Sequence, residues 1–183
     1  MKKLVLVVVL LLGISSVAMA QDVPVASIFG GYSFYRCNDI ASSCDLHGWN
    51  AAVDFNVNKN WAVTADFDGH YGWLDQTDAQ RIANEWTDVK SHSFLFGPKY
   101  TIGSSDKVRP YLHALFGINH VNPDTATVEN NFAMAYGGGV DIKVNDRLSI
   151  RPAQVDYIGV RRFSEFEANV RYSGGIVLTF GSK

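Results

Sequence analysis

In the run "WNAAVDFNV", residues 49–57, Trp49, Ala51, Val53, Phe55 and Val57 share one face, and Asn50, Ala52, Asp54 and Asn56 share the other. Successive side chains of an extended strand point to opposite sides, so this period of two predicts a strand with one apolar face. After only Asn58, Lys59 and Asn60 the pattern resumes in "WAVTADFDGHY", with Trp61, Val63, Ala65, Phe67 and Tyr71 opposite Thr64, Asp66, Asp68 and His70. Two such runs joined by a tight turn predict a hairpin. From Val89 to Ile102, Phe94, Phe96, Tyr100 and Ile102 oppose Ser91, Ser93, Gly97, Lys99 and Thr101. Leu112, Ala114, Phe116 and Ile118 then oppose Arg109, Tyr111, His113, Gly117 and Asn119, and Phe132, Met134, Tyr136, Val140 and Ile142 oppose Ala133, Ala135, Gly137, Gly139, Asp141 and Lys143. With "VASIFGGYSFYR" near the start and "RLSIRPAQVDYI" and "NVRYSGGIVLTF" at the end, the count is eight strands.

The connections alternate as well. Those after the second, fourth and sixth strands are tight: residues 58–60, 103–107 and 145–146. Those after the first, third, fifth and seventh are longer, at residues 36–46, 73–87, 121–130 and 159–168, and "LDQTDAQRIANEW" in the second has room for a helical turn or two. The predicted fold is therefore all-β, an eight-stranded antiparallel up-and-down barrel with short turns at one end and long loops at the other. One strand breaks its own pattern: strict alternation after Leu148 and Ile150 would put Gln154 and Asp156 on the apolar face. A bulge at Pro152-Ala153 restores them to the polar face and turns Val155 and Tyr157 outward, and proline is tolerated within sheets mainly at such places.

Volume decides which face is outside. An eight-stranded barrel has an interior just wide enough for side chains, and a dozen inward Trp, Tyr and Phe side chains would not fit. Gly137, Gly139, Ala133 and Ala135 suit a crowded interior. The apolar face therefore meets lipid, closure satisfies the backbone groups that lipid cannot, and the barrel is transmembrane. Trp49, Trp61, Tyr71, Trp73, Trp86, Tyr100 and Phe180 fall near strand ends, where interfacial aromatic girdles belong.

Lys2 and Lys3, the apolar run Leu4 to Leu12 and Ala18-Met19-Ala20 read as a secretory signal peptide over residues 1–20, leaving 21–183 as the barrel domain. Of 16 basic residues 14 then remain against 18 acidic ones, a formal charge of −4 that does not suit nucleic acid. Cys37 and Cys44, close together in an exported chain, are expected to form a loop disulfide.

"FGGYSF" in the first strand, "HSFLFGP", "HALFG", "FAMAYGGGVDI", "IRPAQVDY" and the final "GIVLTF" resemble, in this order, the small OmpA/OmpX-like outer-membrane β-barrel family, in a porin-like subgroup. The resemblance implies the outer membrane of a Gram-negative bacterium, with both termini in the periplasm and four loops outside the cell. Members serve as structural, adhesive or narrow-channel proteins. Tyr172, Ile176, Leu178 and Phe180 resemble the alternating C-terminal signal that the family presents to the barrel-assembly machinery, although that signal usually ends at the aromatic and here Gly181, Ser182 and Lys183 follow.

On the polar face the expected lumen holds Asp54, Asp66, Asp68, Asp141, Lys99, Arg109, Lys143 and Arg171, with His70 and His113. Charges in a narrow interior must pair or carry a desolvation penalty. Counting from the turns places Asp156 level with Arg171, and Asp141 beside Arg109 and Arg151, and these salt bridges are expected. His92 lies beside Ser91 and Ser93 in "KSHSF", but adjacent strand residues face opposite ways, so no nucleophile and base pair emerges. The five histidines, His47, His70, His92, His113 and His120, show no ligand pair on one face, and no metal or other cofactor is expected. "RRFSEFE", with Arg161, Arg162, Phe163, Glu165, Phe166 and Glu167, has the mixture of side chains to contact lipopolysaccharide phosphates or an extracellular ligand such as a protein surface, although a plain solvated loop is the favoured reading of it. The favoured reading is a monomeric protein of structural or surface-interaction role, not an enzyme, whose lumen is plugged by paired charges. A narrow passive pore for ions or small solutes is the alternative, and lipid A modification stands behind both.

Overall fold

A computed structural model describes residues 24–38, 43–73, 88–103, 105, 107–123, 129–162 and 165–181. The eight strands are β1 (Ala26–Asn38), β2 (Ser43–Asn56), β3 (Trp61–Trp73), β4 (Asp88–Thr101), β5 (Val108–Pro123), β6 (Glu129–Lys143), β7 (Leu148–Arg162) and β8 (Glu165–Phe180). Each pairs antiparallel with its neighbour in sequence, and β8 pairs with β1, which closes the barrel. The leader expected at residues 1–20 and the helical turn expected in 74–87 lie outside the described residues.

Three of the loops expected to be long are shorter than the alternation suggested. β1 and β2 run to Asn38 and from Ser43, β5 and β6 run to Pro123 and from Glu129, and β7 and β8 run to Arg162 and from Glu165. The reason is that apolar alternation marks only the lipid-facing part of a strand, whereas the hydrogen-bond ladder continues past it through polar residues. Cys37 and Cys44 fall in this extension and stand directly opposite each other in the β1–β2 register.

The strands are tilted, and the register measures by how much. From Tyr35 the cross-strand partners run through Arg171, Asp156, Gly137, His113, Lys99, Ala62 and Asn56. Asn56 then donates its backbone N–H to Val25 at 3.0 Å, so one circuit returns to the first strand ten residues lower, from Tyr35 to Val25. Closing a small barrel requires such a stagger. It also brings Arg171, Asp156, His113 and Lys99, from four different strands, onto one continuous path.

Alternation sorts the side chains as expected. Tyr32, Phe55, Phe96, Leu112, Tyr157 and Ile176 are exposed on the outer surface, while Asp54, Asp66, Asp68, Lys99, Asp156 and Arg171 are buried inside. The β7 bulge is present: Arg151 pairs with Gly175 and Gln154 with Ser173, so three steps on β7 match two on β8. Gln154 and Asp156 are thereby buried and Val155 and Tyr157 exposed. The outer surface gives a direct test. Phe96 is 66% exposed at the middle of β4, and Phe96→Arg is expected to destabilise the barrel by about 2–4 kcal/mol, measured by denaturant titration of protein folded into lipid vesicles.

Candidate functional site: the charged lumen

Arg171, on β8, is fully buried and reaches across the barrel. Its Nε and Nη2 donate to Asp156 Oδ2 at 2.9 and 2.7 Å, and its Nη1 donates to Asp66 Oδ1 at 2.7 Å and to Asp68 Oδ2. Asp156 in turn accepts from His113 Nε2 at 2.7 Å and from Gln154 Nε2 at 2.8 Å. His70 lies beside the same group, its Nδ1 3.4 Å from Asp68 Oδ1 and its Nε2 2.8 Å from Ser33 Oγ. Gly137 makes room for this hub: a Cβ there would lie 2.1 Å from Asp156 Oδ1 and 2.3 Å from the Val155 carbonyl oxygen.

A second group lies nearer the turns. Arg151 clamps Asp141 through two donors, at 2.7 and 3.1 Å, and a guanidinium forks onto a carboxylate best in this two-pronged way. Lys99 Nζ donates to Asp54 Oδ2 at 2.7 Å and stands 3.7 Å from Asp141 Oδ2, while Thr64 Oγ1 donates to Asp54 Oδ1 at 2.6 Å. Lys99 lies 4.0 Å from the centre of the Tyr111 ring and the Arg151 guanidinium 4.2 Å from that of Phe29, contacts that favour cations over aromatic faces. Gln154 ties the groups together, since its Oε1 accepts from Arg151 at 2.7 Å and from Tyr111 at 2.6 Å while its amide donates to Asp156.

Of the lumen residues expected from sequence, Asp54, Asp66, Asp68, Lys99, His113, Asp141, Arg151, Asp156 and Arg171 thus meet in two linked groups. The expected pair between Arg109 and Asp141 is not among them. The register sets the two opposite each other, but Arg109 is only half-buried near the turn end, and Arg151 and Lys99 occupy both Asp141 oxygens. Lys143, also expected to point inward, is half-buried and pairs at 2.7 Å with Asp146 in the following turn.

The inner face is less uniformly polar than alternation suggested. Tyr35, Leu46, Leu95, Leu115, Ile158 and Val160 form a buried apolar cluster with Ala133 and Ala135. On β4, β5 and β7, Leu95, Leu115 and Ile158 lie toward the loop end from Lys99, His113 and Asp156. Sequence reading missed this layer because in "SFLFG" and "ALFG" the inward leucine sits among outward phenylalanines and carries no contrast. Gln154, Asn50 and Tyr111 were missed as network members because a neutral polar residue announces no partner; Asn50 donates to Asp66 Oδ2 at 3.0 Å.

The outer rim corrects another expectation. His92 and His120 are direct register partners on one outer face, so a histidine pair on one face does exist. Their rings engage Tyr71 Oη at 3.1 Å and Asn130 Oδ1 at 2.8 Å respectively, and no group of three His, Cys, Asp or Glu suited to a metal occurs among the described residues. Ser91 and Ser93 are buried inside while His92 faces outward, which separates the only His–Ser neighbours considered for nucleophilic chemistry. Cys37 is half-buried against the apolar cluster, and Cys44 stands opposite it in the β1–β2 register.

A closed eight-stranded antiparallel barrel with an apolar exterior and a charged, hydrogen-bonded interior defines the class of small transmembrane β-barrels. The chain belongs to the outer membrane protein beta-barrel domain family, whose model matches residues 5–179. The fold is similar to that of Ail, the attachment invasion locus protein of Yersinia pestis, at 19% identity and a TM-score of 0.60, covering 85% of this chain and 97% of that one. It is similar also to Neisserial surface protein A, at 14% identity and a TM-score of 0.68 with coverage of 85% and 97%, and to OprG of Pseudomonas aeruginosa, at 11% identity and 0.61 with coverage of 85% and 95%. No curated protein matches the sequence.

Arg171→Met is expected to destabilise the barrel by about 3–5 kcal/mol, because it strands Asp66, Asp68 and Asp156 without their shared cation. Arg161→Met, at an exposed position, is expected to change stability by less than about 0.5 kcal/mol. Denaturant midpoints of the two variants in the same lipid check the contrast.

Proposed function

We propose that this protein is a monomeric structural or surface-interaction barrel of the outer membrane, with its termini in the periplasm, and that its lumen is a plug of paired charges which holds the wall rigid instead of conducting. The observation that carries the reading is the crossing of the lumen by Arg171, tied at once to Asp156 on β7 and to Asp66 on β3. A solute passing through would have to break charge-assisted bonds in a space that water enters poorly, and each ion left unpaired there costs several kcal/mol.

The surface part of the reading draws support from the rim, where Arg36, His47, Tyr71, Lys90 and Arg161 face outward beyond the lipid-facing aromatics, at the level suited to lipopolysaccharide headgroups. Two proteins of similar fold are named for a surface and for attachment and invasion. The disulfide between Cys37 and Cys44 belongs to this proposal as a clamp on the first outer hairpin, as do the 1–20 leader and the use of Tyr172, Ile176, Leu178 and Phe180 in recognition by the barrel-assembly machinery. All of these treat the protein as a support for its loops, without catalysis.

Planar-bilayer recordings test the plug. Purified protein is expected to give no stable openings above an empty-detergent control, and Arg171→Ala is expected to give openings or noise where the native chain gives none. Stable steps from the native protein would favour the narrow passive pore.

A further inference from the structure

The turn end of the barrel carries a cation with no counter-ion among the described residues, set beside an apolar wall. Arg147, in the turn between β6 and β7, lines an open cleft of about 280 Å³ together with Leu178, Thr179, Phe180 and Gly181. Its backbone is held firmly: Asn145 Oδ1 accepts the Arg147 N–H at 2.9 Å, and the Arg147 carbonyl accepts the Thr179 N–H at 2.8 Å. The nearest acid in the turn is already committed. Asp146 is paired with Lys143 at 2.7 Å, and that hydrogen bond holds its carboxyl below the usual aspartate range. Arg147 makes no ion pair among the described residues and is exposed.

Leu178 and Phe180 are the last two outward side chains of β8, 46% and 49% exposed, so they mark the edge of the hydrocarbon layer and place Arg147 at headgroup level. The last residue lining the cleft is Gly181, at φ +76°, where a Cβ would lie 2.8 Å from Val25 Cγ2. The surroundings share its charge: among the described residues, the turns and strand ends at this end carry Lys59, Lys107, Arg109, Lys143 and Arg147 against Asp146, on a chain whose overall formal charge is −2.

We propose that this cleft seats a phospholipid of the periplasmic leaflet, with its phosphate on the Arg147 guanidinium and an acyl chain along Leu178 and Phe180. A phosphate takes a guanidinium's paired donors, and an anionic headgroup such as phosphatidylglycerol gains further from the basic turns around it. This proposal rests on the orientation given above, with the turns in the periplasm.

The test uses the full barrel, folded in nanodiscs of mixed phosphatidylglycerol and phosphatidylethanolamine, released into mild detergent and examined by native mass spectrometry. Native protein is expected to retain phosphatidylglycerol in preference, and Arg147→Gln to retain it about tenfold less, the effect of one lost charge-assisted contact. Asn122→Ala, at the opposite rim, is expected to retain as much as the native chain. Equal retention by native protein and Arg147→Gln, or none by either, overturns the proposal. Retention of lipid A through Arg147 from outer-membrane extracts overturns it by contradicting the orientation. Heat-modifiable gel mobility of each variant reports separately that the barrel is folded, so loss of the lipid seat is distinguished from failure of the barrel reading.

Discussion

A charge buried inside eight strands must find its partner inside eight strands, and most of this molecule is arranged around that constraint. Lipid outside leaves the backbone no choice but closure, and closure at this size leaves an interior that side chains fill. Arg171 stands at the centre of that interior with three carboxylates around it. Their positions depend on features that otherwise look unrelated. The stagger of ten residues sets Lys99, His113, Asp156 and Arg171 along one path, the bulge at Pro152-Ala153 turns Asp156 inward, and the missing side chain at Gly137 leaves the space that its carboxylate occupies. Remove any one and an ion is buried without its partner.

The apolar layer toward the loops works in the same direction. Leu95, Leu115 and Ile158 cover the loop side of Lys99, His113 and Asp156. Charge pairs strengthen as water is excluded, but only when each donor and acceptor is matched. Phe29 and Tyr111 act likewise lower down, with cations over their rings. On the proposed function the lumen is then a brace, and contact with anything outside is left to the rims.

Much of this was legible in the sequence. Period two sorted the faces, because Asp54, Asp66 and Asp68 alternate with Val53, Ala65 and Phe67 in plain contrast. The bulge was legible from one proline and one break in the pattern. The extent of the strands was not, since Asn38 or Glu129 can continue a ladder without apolar contrast. Nor was the reach of Arg171 to Asp66 and Asp68, more than a hundred residues away in sequence, because which residues meet across a barrel depends on its stagger and not on any local pattern. Arg109 shows the converse: register neighbours need not pair when a better-placed guanidinium, that of Arg151, takes the same carboxylate.

The most direct measurement of the central claim is hydrogen exchange at the Arg171 side chain, followed by nuclear magnetic resonance of the protein folded in lipid at neutral pH. If the lumen is a closed network of paired charges, the Arg171 guanidinium protons exchange with water orders of magnitude more slowly than those of exposed Arg161. Exchange of Arg171 at the rate of Arg161 would mean that water reaches the centre of the barrel freely, and would contradict the account.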